Sequence, residues 1–500
     1  MRRRDFLAAT AAGLVLPRHV AIRPFRRRSD DVRVAVAGVR SQGMYHVRTL
    51  QALPGVDVVA LVDVDEHVLS DRLMELATLK ARGGDHAGDP PIGVKDLRDV
   101  LDRDDIHAVS LATPNHLHSM QAIWACDAGK DVYVEKPVSH NVFEGEALVH
   151  KARSSGRVVQ AGTQSRSSSG IAEGIAWMAA GNLGAIRYAH STCYKPRQSI
   201  GKVDGPQAVP AHIDWDLWCG PAPLEPLHRK RVHYDWHWQF VTGNGDLGNQ
   251  GIHQMDTARW ALGQDNLGHR ARSFGGRYGY EDDGDTPNTQ CILLESDGPP
   301  ILFEVRGLPR DKAAQADGWN QKMDTHEGYP IATSIHCEEG VLVIPNSNHE
   351  AIARSPDGEV LEHFKGASNH HANFIEAVRA GDPGLLNAPI EEGHLSSALC
   401  HLGNISYQLG LGVTPDDFIR RFGDDEWPAE SAYRFVDHLM ANEVDLEGPQ
   451  ITLGRVLEFT SMKSSLPMGA GDSDATALLT RAYRPPYVVQ PSQAQAASAR

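Results

Sequence analysis

The stretch Arg33–Asp63, RVAVAGVRSQGMYHVRTLQALPGVDVVALVD, constrains the fold of this 500-residue chain more than any other. Val34, Val36 and Val39 with Ala35 and Ala37 form a continuous apolar run, as expected of a parallel strand covered on both faces. Gly38 and Gly43 bracket a turn into a helical pattern, and Val58 to Val62 read as a second strand. Such a turn aims backbone N–H groups and a helix N-terminus at one point, where a pyrophosphate can sit. Asp63 ends the second strand 20 residues after Gly43, where an acid can bind ribose hydroxyls. The reading is a dinucleotide site with one departure, Arg40 in place of the middle glycine of G-x-G-x-x-G. The alternative is an ordinary strand–turn–helix. Asp63 favours NAD because a carboxylate repels a 2′-phosphate. The Arg40 guanidinium could pair with that phosphate and keeps NADP possible.

The alternation continues after Asp63. Helical patterns (Glu66 to Lys80, Lys95 to Leu101, a helix opened by Pro114-Asn115, Phe143 to Ser154) alternate with strands (Ala108 to Thr113, Asp131 to Glu135, Val158 to Gly162), around a Gly/Asp/Pro-rich loop from Gly83 to Pro91. This argues a doubly wound parallel sheet, whose ligands bind beyond the C-terminal strand ends. Thr113, Pro114, Asn115 and His116 fall at one such end and Glu135, Lys136 and Pro137 at another. From about Ser165 the texture changes. Strand-like runs (Ile186 to Tyr194, Gln290 to Leu294, Ile301 to Arg306, Gly340 to Ile344) are separated by polar loops rich in Trp, Asp and Pro. A mostly antiparallel second domain is expected, with helices at Ile252 to Leu262, Asn373 to Ala380 and Glu392 to Leu409, the last two packing back on the nucleotide domain. The tail after Tyr483 is Pro/Gln/Ala/Ser-rich and reads as loosely ordered.

The formal net charge is −15, and the first 30 residues hold eight arginines against Asp5 and Asp30, so the remaining body is more acidic still. That excludes nucleic acid and anionic membrane as natural partners. Six cysteines without C-x-x-C suggest neither zinc nor a disulfide framework, and no metal site is expected from the His and acid groupings Asp282-Asp283-Gly284-Asp285, His370-His371 and Glu391-Glu392-Gly393-His394, which read as surface or loop charge. Arg3-Arg4-Asp5-Phe6-Leu7 fits a twin-arginine export pattern, followed by an apolar run from Ala8 to Leu16 too short to span a bilayer. Export to the periplasm is the expectation, a basic disordered tail and a cytoplasmic protein the alternative. No integral membrane span is expected. The divisions are 1–30, a signal-like segment; 31–162, the nucleotide domain; 163–410, the substrate domain; and 411–500, a C-terminal extension.

Three groups carry candidate chemistry. Lys136 ends a buried strand beside the expected nicotinamide, and Asn249 to Asp256 enters a helix carrying His253. Tyr194-Lys195-Pro196-Arg197, Asp214 to Trp218 and Trp236-His237-Trp238 supply aromatic and polar groups. Removing hydride from an alcohol requires a base for the hydroxyl proton; histidine suits by pKa, and a nearby lysine cation would keep it neutral and stabilise an alkoxide. Taken singly, Lys136 reads as a solvated strand-end lysine, His253 as a packing histidine and the tryptophans as a loop core.

The segments GVRSQG, VALVDVD, ATPNHLH, VEKPVS and GDLGNQGIHQMDTARWALG, in this order, resemble the glucose–fructose oxidoreductase/inositol dehydrogenase (Gfo/Idh/MocA) family over residues 31 to 410. The resemblance implies an α/β protein: an N-terminal Rossmann domain and a C-terminal α/β domain with an open, mostly antiparallel sheet. It implies pyranose or polyol substrates, Lys136 and His253 as catalytic residues, and Glu135, Lys136 and Pro137 against the nicotinamide. Family members with alcohol dehydrogenase activity commonly carry Asp four residues before the histidine; Asn249 stands there and can orient but not accept a proton. The candidate cofactor contacts are Gly38, Arg40, Ser41, Gln42, Gly43, Asp63, Thr113, Pro114, Asn115, His118, Glu135, Lys136 and Gln164; the candidate substrate contacts are Tyr194, Lys195, Arg197, Trp238 and Asp256. The expected activity is a sugar or polyol oxidoreductase with a retained nicotinamide. The alternatives are an NAD-dependent glycosidase and a nucleotide-retaining binding protein without turnover. An exposed sheet face makes a homo-oligomer the expected assembly.

Overall fold

The computed structural model describes residues 31–82, 90–319, 322–346, 349–421, 426–460 and 472–491. The signal-like segment, most of the loop from Gly83 to Pro91 and the last nine residues of the tail lie outside the described residues. Strands β1 (Val32–Ala37), β2 (Val56–Val62), β3 (Ile92–Val94), β4 (Ala108–Leu111), β5 (Asp131–Val134) and β6 (Val159–Ala161) form a wholly parallel sheet in the order β3-β2-β1-β4-β5-β6. The order reverses between β1 and β4, which opens a crevice at their C-terminal ends. Both faces are apolar because both are covered. Met44, Val47 and Leu50 of the helix Gln42–Gln51 join Phe374, Ile375 and Val378 of the late helix His370–Ala380 on one side. Ala122 and Ala125 join Leu148 and Val149 on the other. The helix Val142–Ser155 is closed at both ends: the Asn141 side chain accepts from the Glu144 N–H, the Glu144 carboxylate accepts from the His140 N–H, and Gly156 turns out at φ +62°.

The second sheet has eleven strands: β7 (Ile186–Tyr194), β8 (Arg270–Gly276), β9 (Thr289–Glu295), β10 (Ile301–Arg306), β11 (Ile331–Cys337), β12 (Val341–Pro345), β13 (Glu350–Arg354), β14 (Val360–Lys365), β15 (Leu411–Val413), β16 (Ile451–Leu453) and β17 (Leu457–Glu458). Their order is β14-β13-β12-β11-β7-β10-β9-β8-β16-β15, with β17 also on β8; only β7 and β10 run parallel. Alternation sorts the side chains. Ile292 and Leu294 face the helices Ile252–Ala261 and Ile390–Gln408, whereas Cys291 and Leu293 face Phe418, Phe435 and Leu439. The sheet is therefore partly covered on the face expected to be open. Because β15 to β17 complete it, the strands Leu411–Val413, Ile451–Leu453 and Leu457–Glu458 of the segment expected as a separate extension belong structurally to the second domain.

Two further expectations are corrected. Tyr487 and Val489 of the tail are buried against Leu117, Met120 and Trp124, so residues 483–491 dock rather than trail. Of the groupings read as surface or loop charge, His370, His371 and His394 are buried and Glu392 pairs with Arg166 and Arg259, whereas Asp282 to Asp285 lie in a loop with Asp285 exposed and Asp282 paired to Arg277. All six cysteines are buried and free, and among the described residues no helix is long and apolar enough to cross a membrane.

Candidate active site

At the crevice the glycine turn is shaped for close approach. Gly38 sits at φ +78°, and a Cβ there would lie 2.5 Å from the Ala112 carbonyl oxygen. The helix Gln42–Gln51 starts at once, with no side-chain bond from Ser41 to its first N–H groups, which leaves them directed at the cleft. Gly43 packs under the turn, where a Cβ would meet the Gly38 oxygen at 2.2 Å; it shapes the cradle rather than lining it. Asp63 accepts from the Val39 N–H at 2.9 Å and the Asp65 N–H at 3.0 Å, and burial pushes its carboxyl up to about 6. These features fit a dinucleotide: the turn and the open helix end would take its pyrophosphate and Asp63 its ribose.

The cleft, about 430 Å³, is within the size range of cofactor sites. Along it lie Gly38, Arg40, Ser41, Gln42, Asp63, Thr113, Pro114, Asn115, His118, Glu135, Lys136 and Gln164, followed by Lys195, Asn249, Gln250 and His253 from the second domain. Four expected substrate residues lie elsewhere. The Tyr194 hydroxyl points to Glu304 at 2.5 Å on the opposite sheet face. Arg197 is bound to Asp246 at 2.6 Å and stacks over the buried Trp238 ring at 4.9 Å. Asp256 is wholly buried between Arg166 and Ser396. Each is corrected from substrate contact to internal support.

At the inner end one network sets the charges. Gln42 Nε2 donates to Glu135 Oε1 at 3.0 Å, His46 Nε2 lies 3.0 Å from the same oxygen, and His46 Nδ1 meets Ser110 Oγ at 2.9 Å. Burial alone would raise the Glu135 carboxyl, but His46, Lys136 and His253 together hold it below the usual range, so it stays ionised. Lys136 Nζ donates to the Asn249 main-chain oxygen at 2.6 Å, and burial pushes its amine below its ordinary 10.5 against the pull of Glu135. Burial, then the Lys136 charge, pushes His253 down to about 3. Asn249 lies in a widened π-type turn, Leu247–Gly251, which aims its carbonyl across the cleft. The main chain, not the residue-249 side chain, thus fixes the lysine. Lys195 Nζ donates to Gln250 Oε1 at 2.9 Å and places a second cation nearby.

The cleft also gathers Asp96, Gln121, Trp124, Trp218, His233, Tyr234, Trp236, His237 and Tyr487. Trp218, Trp236 and His237 stand in the aromatic runs noted above, whereas nothing local in the sequence marks the others. Tyr487 is the least expected. Its hydroxyl donates to Asp216 Oδ2 at 2.6 Å, Arg484 Nη1 pairs with Asp216 Oδ1 at 2.5 Å, and its ring centroid lies 6.2 Å from that of Trp124. The tail is a strap over the outer end of the cleft. Tyr487→Ala is expected to weaken coenzyme binding about tenfold, ~1.4 kcal/mol, in a titration of stripped protein. An unchanged Kd would remove the strap from the site.

Residues 32–163 match the family described as "Oxidoreductase family, NAD-binding Rossmann fold", and residues 190–271 match "Oxidoreductase family, C-terminal alpha/beta domain". The chain is 29% identical to a 4-carboxy-2-hydroxymuconate-6-semialdehyde dehydrogenase of Sphingobium sp. over 37% of its length and 55% of the relative. It is 28% identical to a levoglucosan dehydrogenase of Pseudarthrobacter phenanthrenivorans (34% of this chain, 36% of the relative) and 31% identical to a glycosyl hydrolase family 109 protein of Shewanella pealeana (28% of each). The chain thus spans about half or less of the curated relatives it matches. The solved myo-inositol dehydrogenase of Lactobacillus casei, in complex with NAD(H) and myo-inositol, shares the fold at 18% identity and a TM-score of 0.51, over 76% of this chain and 95% of that one.

Proposed function

We propose that this chain, which belongs to the Gfo/Idh/MocA oxidoreductase family, oxidises a hydroxyl of a small sugar or polyol with a nicotinamide coenzyme that it keeps between turnovers. One observation carries the reading: Lys136 and His253, from different domains, share the wall of a cleft that begins at the glycine turn. When bound, the nicotinamide supplies the hydride acceptor. The chain supplies the proton chemistry. Neutral His253 hydrogen-bonds the hydroxyl and takes its proton as the hydride leaves, while the Lys136 ammonium, held by the Asn249 oxygen, stabilises the developing alkoxide. Lys195, Gln250, His237 and Tyr234 around the same space suit a ligand with several hydroxyls better than an apolar alcohol.

The strap over the cleft and the twin-arginine-like start of the chain support retention. Outside the cytoplasm no free nicotinamide pool exists, so the coenzyme would return to its starting redox state each turnover. Denaturing the purified protein is therefore expected to release close to one equivalent of NAD(H), read by absorbance of the supernatant. A substoichiometric trace would replace retention with ordinary exchange. Similarity to a glycosyl hydrolase favours a second reading, transient oxidation during glycoside cleavage. Solvent deuterium entering the sugar released from an aryl glycoside would select it over simple oxidation.

A further inference from the structure

The face of the second sheet away from the helix Ile252–Ala261 carries an unexplained histidine group. Register places Ser334 opposite His190 and His336 opposite Tyr188, so His190 on β7 and His336 on β11 project from the same face on a diagonal. Glu304 and Arg306 of β10, opposite Thr192 and Tyr194, share it. His326, beside its bridge to Tyr329, lowers a third imidazole onto the pair. One ring nitrogen from each of His190, His326 and His336 lies within 4.8 Å of the others, and His326 Nε2 is 3.5 Å from His336 Nε2. Two imidazole nitrogens on one tetrahedral ion, each ~2.0–2.1 Å from it, stand about 3.4 Å apart.

We propose that His190, His326 and His336 bind a divalent first-row transition ion of the zinc type, away from the cofactor cleft, which none of the three lines. His190 is almost fully buried, and its Nε2 lies 3.3 Å from Glu304 Oε1, so the ion would take the other ring nitrogen, Nδ1. Glu304 is held by the Tyr194 hydroxyl, Arg306 and Arg434, so it orients His190 rather than filling the ion's fourth position, which falls to water. The two guanidinium groups are offset by Glu304 and Asp324, so the pocket is not strongly cationic. The ion would tie β7, β11 and the His326 loop together. Another group, Asp65, His67 and His212, is a weaker candidate. Asp65 already takes His233 at 2.8 Å and two backbone N–H groups, and His67 is exposed.

The test is titration of chelator-stripped, full-length protein with Zn²⁺ by calorimetry and with Co²⁺ by visible absorption. One saturable equivalent with a tetrahedral Co²⁺ spectrum is expected. His326→Ala and His336→Ala are each expected to weaken binding at least about tenfold, and His67→Ala to leave it unchanged. Absence of saturable binding to the wild-type protein would overturn the proposal whether or not the variants fold. So would binding that survives both substitutions, or that is lost only with His67→Ala.

Discussion

Replacing Lys136 with methionine is expected to lower kcat on the best sugar substrate by about 10²–10⁴ while leaving coenzyme binding nearly intact. Methionine keeps the buried stem and removes the charge that faces the developing alkoxide. His253→Ala should fall in the same range. The double substitution should cost little more than either alone, because an alkoxide-stabilising cation and the base that creates the alkoxide act as one unit. The pH profile separates their roles. His253, pushed down to about 3, is already neutral at every pH where the protein would be assayed and contributes no inflection near neutrality. Lys136 has its amine pushed below 10.5 by burial. If its ammonium form is the working one, turnover falls as pH rises through that lowered value, and the fall disappears in Lys136→Met. A rate that instead rises with pH and plateaus would make the neutral lysine the base and His253 the support. Variants at 136 and 253 that both retain wild-type turnover would place the chemistry elsewhere.

Much of this arrangement is legible in the sequence. The front domain announces itself because its strands are buried on both faces and read as unbroken apolar runs, with Gly38 and Asp63 at the positions a nucleotide crevice uses. The rear domain is harder to read. Strands such as β8 and β11 carry Arg270, Arg272, Ser334 and His336 among their apolar residues, and Arg270 finds its partner across the sheet in Glu295, so no local pattern marks them. The substrate residues show the limit at single-residue scale. Tyr194 and Lys195 are neighbours in sequence, yet successive side chains point to opposite faces. One joins Glu304 behind the sheet and the other Gln250 at the cleft. Arg197 shares the parity of Lys195 but lies past the strand end, where Asp246 captures it. The strap is hidden from the sequence for a related reason. Its composition reports low intrinsic order, while Tyr487 and Val489 are ordered by Trp124, Leu117 and Asp216, hundreds of residues earlier.

Asp256 shows what a miscast site residue can do instead, and removing it is expected to lower the unfolding free energy by roughly 3–5 kcal/mol. Its carboxylate receives Arg166 Nε at 2.9 Å on both oxygens and Ser396 Oγ at 2.7 Å; Ser396 in turn receives Arg259 Nε at 3.1 Å, and Glu392 joins both arginines. Arg166, Asp256 and Arg259 are nearly inaccessible to water, so Asp256→Ala strands guanidinium charge in the interior with one partly exposed carboxylate left to share. The penalty arises from that uncompensated charge more than from the lost contact. Arg166→Met in the Asp256→Ala background should therefore recover part of the loss, a coupling that a denaturant cycle reads directly. The same network fixes the helix Ile252–Ala261 against Ile390–Gln408, and His253 stands on the first turn of the former. Asp256→Ala protein that remains folded should accordingly lose turnover through displacement of His253, with the pH dependence of the residual rate unchanged because the titrating groups are unchanged. A single substitution costing less than about 1 kcal/mol, within the range of a surface pair, would show that water reaches the network and that it does not anchor the catalytic helix.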